Sequence, residues 1–113
     1  MNLLFVCSRN RLRSPIAETI FSGLEGYAAL SAGTSPDAVT VISADLVDWA
    51  DVIFAMEGIH RRRLNERFGS SLRTKRLIVL GITDDYDYMD PRLVSLLKEQ
   101  VSRHIDVPPA SNE

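Results

Sequence analysis

The sequence predicts an α/β fold: a small, doubly wound, four-stranded parallel sheet with helices on both faces. Three observations predict it. Short apolar runs alternate with stretches of helical period along the chain, the pattern of successive β-α units. The strand segments are continuously apolar rather than alternating, which suits a sheet covered on both sides. At 113 residues there is room for one core. Residues 1–107 are expected to form a single domain and 108–113 a flexible tail.

Leu3 to Val6 is an unbroken apolar run and gives the first strand. Ser14-Pro15 opens the first helix, with serine as N-cap and proline at the first helical position. Ile16, Ala17, Ile20, Phe21 and Leu24 recur at helical spacing, and Gly26 lies beyond the end. Tyr27 to Ala32 is the second strand, with Gly33 in the turn after it. Ser43 caps a short helix through Trp49, whose indole is expected in the core. Asp51 to Met56 holds Val52-Ile53-Phe54, a third buried strand. Glu57 to Phe68 reads as a helix ended by Gly69, and Arg76 to Ile82 as a fourth buried strand around Leu77-Ile78-Val79-Leu80. Pro91 to Ile105 is the last helix, with Leu93, Val94, Leu96, Leu97, Val101 and Ile105 on its apolar side. Sheets of this kind bind ligands at the carboxyl ends of their strands, where the strand order reverses. Residues 7–13, directly after the first strand, occupy such a place.

Composition removes several function classes. A net charge of −2 argues against a general nucleic-acid binder. No apolar run approaches the roughly 18 residues of a membrane span. Met1 to Val6 has no basic segment before it and no small-residue cleavage site after it, so it does not read as a signal peptide. The lone cysteine excludes an internal disulfide framework and a cysteine-based zinc cluster, and a free thiol fits a reducing cytoplasm. His60 and His104 stand too isolated for a metal site. His60, Arg61, Arg62, Arg63 and Arg67 read as a solvated basic helix face rather than a docking site.

The chemistry is concentrated in Cys7-Ser8-Arg9-Asn10-Arg11-Leu12-Arg13-Ser14-Pro15, which joins a strand end to a helix start. Main-chain N–H groups across Ser8, Arg9, Asn10, Arg11, Leu12 and Ser14 can point at one anion, and the helix dipole adds positive charge. Arg13 offers a planar fork that matches two phosphate oxygens. Cys7, at the other rim, is favoured as the thiolate by the same groups and would attack phosphorus in line. Ser14 can donate to that sulfur while capping the helix, and Asn10 can brace the loop. Arg9 and Arg11 admit two readings: they draw in highly anionic substrates, or they project outward along their stems.

The loop resembles that of the low-molecular-weight protein tyrosine phosphatases, approximately C-x-G-N-x-C-R-S-P-x-A-E; Cys7 to Glu18 reads C-S-R-N-R-L-R-S-P-I-A-E. Ser31-Ala32-Gly33-Thr34 resembles the family's S-A-G-T. Trp49 to Met56 resembles its A-D-x-I-x-x-M, and His60 with Leu64 its following H-x-x-x-L. The resemblance implies a phosphatase I-like fold, a phosphocysteine mechanism and no cofactor or metal. Three departures stand out. The chain is short between Thr34 and Ser43, where the family places a helix and a substrate-facing aromatic wall. Arg9 replaces glycine and would be strained if that position required a positive φ. Leu12 replaces a second cysteine, so no partner thiol can shield an oxidised Cys7.

A phosphocysteine route needs a proton donor for the leaving group. The family uses the aspartate of a D-P-Y segment after the fourth strand. Here Asp84 lies at the family's distance, with Tyr86 in the tyrosine's place, and it is the preferred acid. Asp90-Pro91 preserves the dipeptide but has the grammar of a helix N-cap, so Asp90 is the second candidate. Tyr86 and Tyr88 either wall a flat substrate or pack internally. The expected activity is hydrolysis of phosphotyrosine or another aryl or anionic phosphomonoester, the partner being a phosphorylated protein or a small phosphomonoester. The alternative is a phosphate-loop binding module for a phosphorylated or nucleotide ligand with little turnover. Arsenate reduction by a thiol cascade needs further cysteines.

Overall fold

The computed structural model describes residues 1–105; the tail expected at 108–113 lies outside the described residues. The elements run β1 (Asn2–Cys7), α1 (Arg13–Phe21), β2 (Ala28–Gly33), α2 (Ala44–Trp49), β3 (Val52–Ala55), α3 (Gly58–Phe68), a 3₁₀ turn (Gly69–Leu72), β4 (Arg76–Val79) and α4 (Pro91–Ser102). The strands pair in the order β2-β1-β3-β4, each pair parallel.

The alternation of side chains along β1 explains both apolar faces. Leu3, Phe5 and Cys7 point to the side covered by Ile16, Ala17 and Phe21 of α1 and Leu93, Leu97 and Val101 of α4. Leu4 and Val6 point to the other side, against Val47 of α2, Leu64 of α3 and Leu72 of the 3₁₀ turn. The Phe5 ring stacks between Phe21 and Phe54, with centroids 5.6 and 5.3 Å away. Burying each ring contributes about 1.5–3 kcal/mol, and each aromatic pair about 0.5–1.5 kcal/mol more. From β1 the chain passes to β2 on one side and later to β3 on the other, so the loops after β1 and β3 diverge and open a crevice at their carboxyl ends.

Several expectations are corrected in detail. The N-cap of α1 is Leu12, which makes no side-chain cap, and Ser14 lies inside the helix because its hydroxyl is engaged by Asn10 and Cys7. The helix ends at Phe21, leaving Leu24 in the turn before β2. Gly33 is the last residue of β2, not part of a turn. Past Phe68 the chain tightens into the 3₁₀ turn instead of stopping at Gly69. β4 is an edge strand and only partly buried. Trp49 is half-buried, packed against the α2–α3 side. Ser43 does cap α2, its Oγ accepting from Leu46 N–H at 3.3 Å.

Candidate active site

Cys7 ends β1 in register with Gly33 of β2 and is 3% exposed. Two groups approach its sulfur: Asn10 N–H at 3.2 Å and the Ser14 hydroxyl at 2.9 Å. The Ser14 hydroxyl has other partners besides the sulfur. The Asn10 side-chain amide donates to Ser14 Oγ and to Ser31 Oγ, each at 2.9 Å, so Ser14 Oγ is an acceptor there. Its own hydrogen has two acceptors in reach, the Cys7 sulfur and the Ala32 carbonyl 3.5 Å away. Ser31 in turn donates to Glu18 at 2.5 Å, and Asn10 Oδ1 accepts from Thr40 N–H at 3.2 Å. Asn10 N–H donates to the sulfur and the Ser14 hydroxyl is able to, so an anionic sulfur would be met by two donors.

The backbone bend falls at Asn10, with φ of 58°. Asparagine tolerates this left-handed conformation far better than most side chains. Arg9 is not in that region, so the strain expected at the arginine is absent. Among the described residues, the N–H groups of Ser8, Arg9, Arg11 and Leu12 donate to no protein acceptor, and Arg13 and Ser14 open α1. Orphan main-chain donors at a helix start form an anion-binding concavity.

Residues 34–42, where the sequence is short, form no helix; they brace the loop. Thr34 N–H donates to Cys7 O at 2.9 Å, Ser35 N–H to Ser8 O at 2.9 Å, and Val39 N–H to Arg9 O at 3.1 Å. Gly33 makes this approach possible: a Cβ there would stand 2.4 Å from Ser8 O and 2.6 Å from Ala38 Cβ.

Arg13 is 5% exposed and is held from two other strand ends. Its Nη1 donates to Glu57, just past β3, at 2.5 Å and to the Ile82 carbonyl, past β4, at 2.8 Å. Nη1 thus spends both hydrogens, while Nη2 and Nε keep theirs. His60 is fully buried, contrary to the solvated face expected for it. Glu57 N–H donates to its Nδ1 at 3.0 Å, which places the ring proton on Nε2 and makes that nitrogen the donor to Ser8 Oγ at 2.9 Å. Burial, and then the Arg13 charge, push its pKa down from 6.5 to about 4, although Glu57 and Asp84 pull upward.

A surface cleft is lined by Cys7, Ser8, Arg9, Arg11, Leu12, Arg13 and Asp84. The side chains of Asn10 and Ser14 turn into the loop interior, where their hydrogen bonds bury them. The two candidate acids separate. Asp84 stands on the cleft wall. Asp90 caps α4 instead, accepting from Arg92 N–H at 2.9 Å and pairing with the Arg92 guanidinium at 2.8 Å. Those bonds hold its carboxyl below the usual range, and it does not line the cleft. Tyr86 also lies outside the lining: it packs on the α1–α4 core with the Arg92 guanidinium 5.7 Å from its ring centre, and Tyr88 is exposed. The sequence reading missed Glu57, Gly33's role and the Glu18–Ser31 link. Glu57 carried one usable signal, its place directly after a central strand.

No protein-family model matches the chain, and no curated protein sequence does. Solved structures match along nearly the whole chain. A low-molecular-weight protein tyrosine phosphatase from Streptococcus pyogenes superposes with a TM-score of 0.72 at 16% identity, covering 93% of each chain. A tyrosine phosphatase from Escherichia coli K30, in complex with phosphate, gives 0.71 at 19% identity, covering 90% of this chain and 94% of its own. An arginine phosphatase from Geobacillus stearothermophilus gives 0.68 at 21% identity, covering 90% of each. The chain has the four-stranded parallel α/β fold of these structures.

Proposed function

We propose that the protein is a cysteine-dependent phosphomonoester hydrolase acting on phosphotyrosine or another aryl or anionic phosphate, through a phosphocysteine intermediate. The observation that carries this reading is the set of groups on one cleft: a sulfur facing Asn10 N–H and the Ser14 hydroxyl, orphan main-chain N–H groups, the anchored Arg13 and one carboxyl group, Asp84. That structures sharing the fold are phosphatases supports it.

In the first step the Cys7 thiolate attacks phosphorus, forming the S–P bond as the P–O bond to the leaving group breaks. Asp84 gives its proton to the departing oxygen. Nη2 and Nε of Arg13 and the loop amides take up charge on the equatorial oxygens. In the second step the Asp84 carboxylate removes a proton from water, whose oxygen attacks phosphorus. The S–P bond breaks, orthophosphate leaves and the thiolate is restored. His60 and Glu57 touch no reacting atom; they position Ser8 and Arg13. No step draws on a metal. The binding-module alternative drew on Arg9 in place of glycine and on the shortened region after Thr34; Arg9 has no positive φ, and residues 34–42 brace the loop through main-chain bonds, so neither feature favours it. A reducing cytoplasm suits the free thiol, and no described helix is long and apolar enough to cross a membrane.

The test is turnover of a simple aryl phosphate with a chelator present. Cys7→Ser should lower kcat by more than about a thousandfold while still binding inorganic phosphate by calorimetry. A Cys7→Ser protein as active as its parent overturns the mechanism.

A further inference from the structure

Three arginines line the cleft, and only one is tied down. Arg13 is held by Glu57 and the Ile82 carbonyl. Arg9 and Arg11 are exposed, and among the described residues neither side chain makes a hydrogen bond or an ion pair. Arg61, Arg62, Arg73 and Arg76 also make no side-chain hydrogen bond or ion pair among the described residues; what sets Arg9 and Arg11 apart is their place on the wall of the cleft that holds Cys7 and Arg13.

Nearby acids leave that charge largely uncancelled. Asp84 is the one carboxyl among the lining residues, against three guanidinium groups. Asp37 feels both arginines, but it lies outside the lining and its carboxyl is held below its usual range chiefly by the Ser35 hydroxyl. No aromatic wall competes as a source of selection, since Tyr86 is packed away beneath Arg92. Leu12 is the apolar contact the lining offers.

Resting on the phosphatase reading, we propose that Arg9 and Arg11 select phosphomonoesters whose leaving group carries a second negative charge beside the phosphate. A leaving group with positive charge, such as the guanidinium of phosphoarginine, is repelled by the same pair. Exposed ion pairs of this kind are each worth a factor of about 1.5–5. Their attraction should fade as salt shortens the screening length from about 10 Å at 0.1 M to about 3 Å at 1 M.

The experiment measures kcat/KM for phosphotyrosyl peptides of one length with acidic or neutral flanks, and for an aryl bisphosphate against its monophosphate. A phosphoarginyl peptide with neutral flanks forms a further arm. Acidic flanks or a second phosphate should raise kcat/KM about two- to twentyfold at low salt. High salt, and Arg9→Gln/Arg11→Gln, should collapse that ratio toward unity, and the phosphoarginyl peptide should be the poorest substrate. Gain with the bisphosphate alone assigns the second charge to a phosphate; gain with the peptide alone assigns it to carboxylates. Equal turnover of charged and neutral aryl phosphates overturns the proposal and leaves the phosphatase reading standing, as does a preference that survives in the double variant. No turnover of any of them defeats the phosphatase reading itself and the proposal with it.

Discussion

Acidifying the protein from about pH 7 to about pH 4.5 should weaken its fold through His60 before the aspartates with lowered pKa values begin to contribute. The folded imidazole stays neutral down to about 4, against 6.5 for a histidine in the open chain. Between those values the unfolded chain takes up a proton that the native protein refuses, so stability is full above the upper value and falls as pH drops toward the lower. Each unit of separation is worth about 1.4 kcal/mol, which caps the loss at about 3 kcal/mol; screening through the open cleft reduces it to about 1–2 kcal/mol. Geometry gives the same sign, because a protonated Nδ1 would face the Glu57 N–H that now donates to it. Urea unfolding followed by the fluorescence of Trp49, the single tryptophan, is a suitable assay. With a slope of about 1.5 kcal/mol per molar, the midpoint should fall by about 1 M across the interval. His60→Asn keeps an acceptor for Glu57 N–H and removes the titration, so its midpoint should be level over the same range. A parent whose midpoint does not move, or a His60→Asn variant that falls as steeply, would refute the reasoning.

Two further outcomes follow from the site. Asp84→Asn should lower kcat by about 10²–10⁴-fold for substrates with poor leaving groups and flatten the basic limb of the pH–rate profile. Asp90→Ala should leave the profile's shape intact and cost about 1 kcal/mol of stability through the lost cap on α4; the reverse pattern would exchange their roles. Gly33→Ala forces a Cβ into Ser8 O, so it should cost about 1–3 kcal/mol and weaken inorganic phosphate binding, both readable by calorimetry.

The strands and the first loop were legible because they rest on local signals. Val52-Ile53-Phe54 is apolar on both sides, and a strand buried on both faces has no other way to read. Cys7 and Arg13 could be paired from spacing, because the turn between a strand and a helix confines both to one rim. Ser14 was misread because its local grammar is that of a cap, while Asn10 and Cys7, brought close by the bend, claim the hydroxyl. His60 was misread for a similar reason. Arginines surround it in sequence, but its helical position turns it inward to Ser8, a partner 52 residues away. Glu57 was passed over because nothing near it in sequence announces that Arg13, 44 residues earlier, needs a counter-charge. Asp84 and Asp90 separate only in three dimensions, where one lines the cleft and the other caps α4.

The strut that residues 34–42 build under the loop grips Cys7, Ser8 and Arg9 through amide hydrogens meeting carbonyls, without using side chains. Such a scaffold is blind to spelling. Apart from Gly33, whose missing Cβ makes the approach possible, and the small Ala38 that faces it, this stretch can be rewritten or shortened while the nucleophile keeps its aim. That tolerance reconciles a departure in sequence length with an undistorted centre, and it marks the segment as the place where new recognition surfaces can be added at little cost to catalysis.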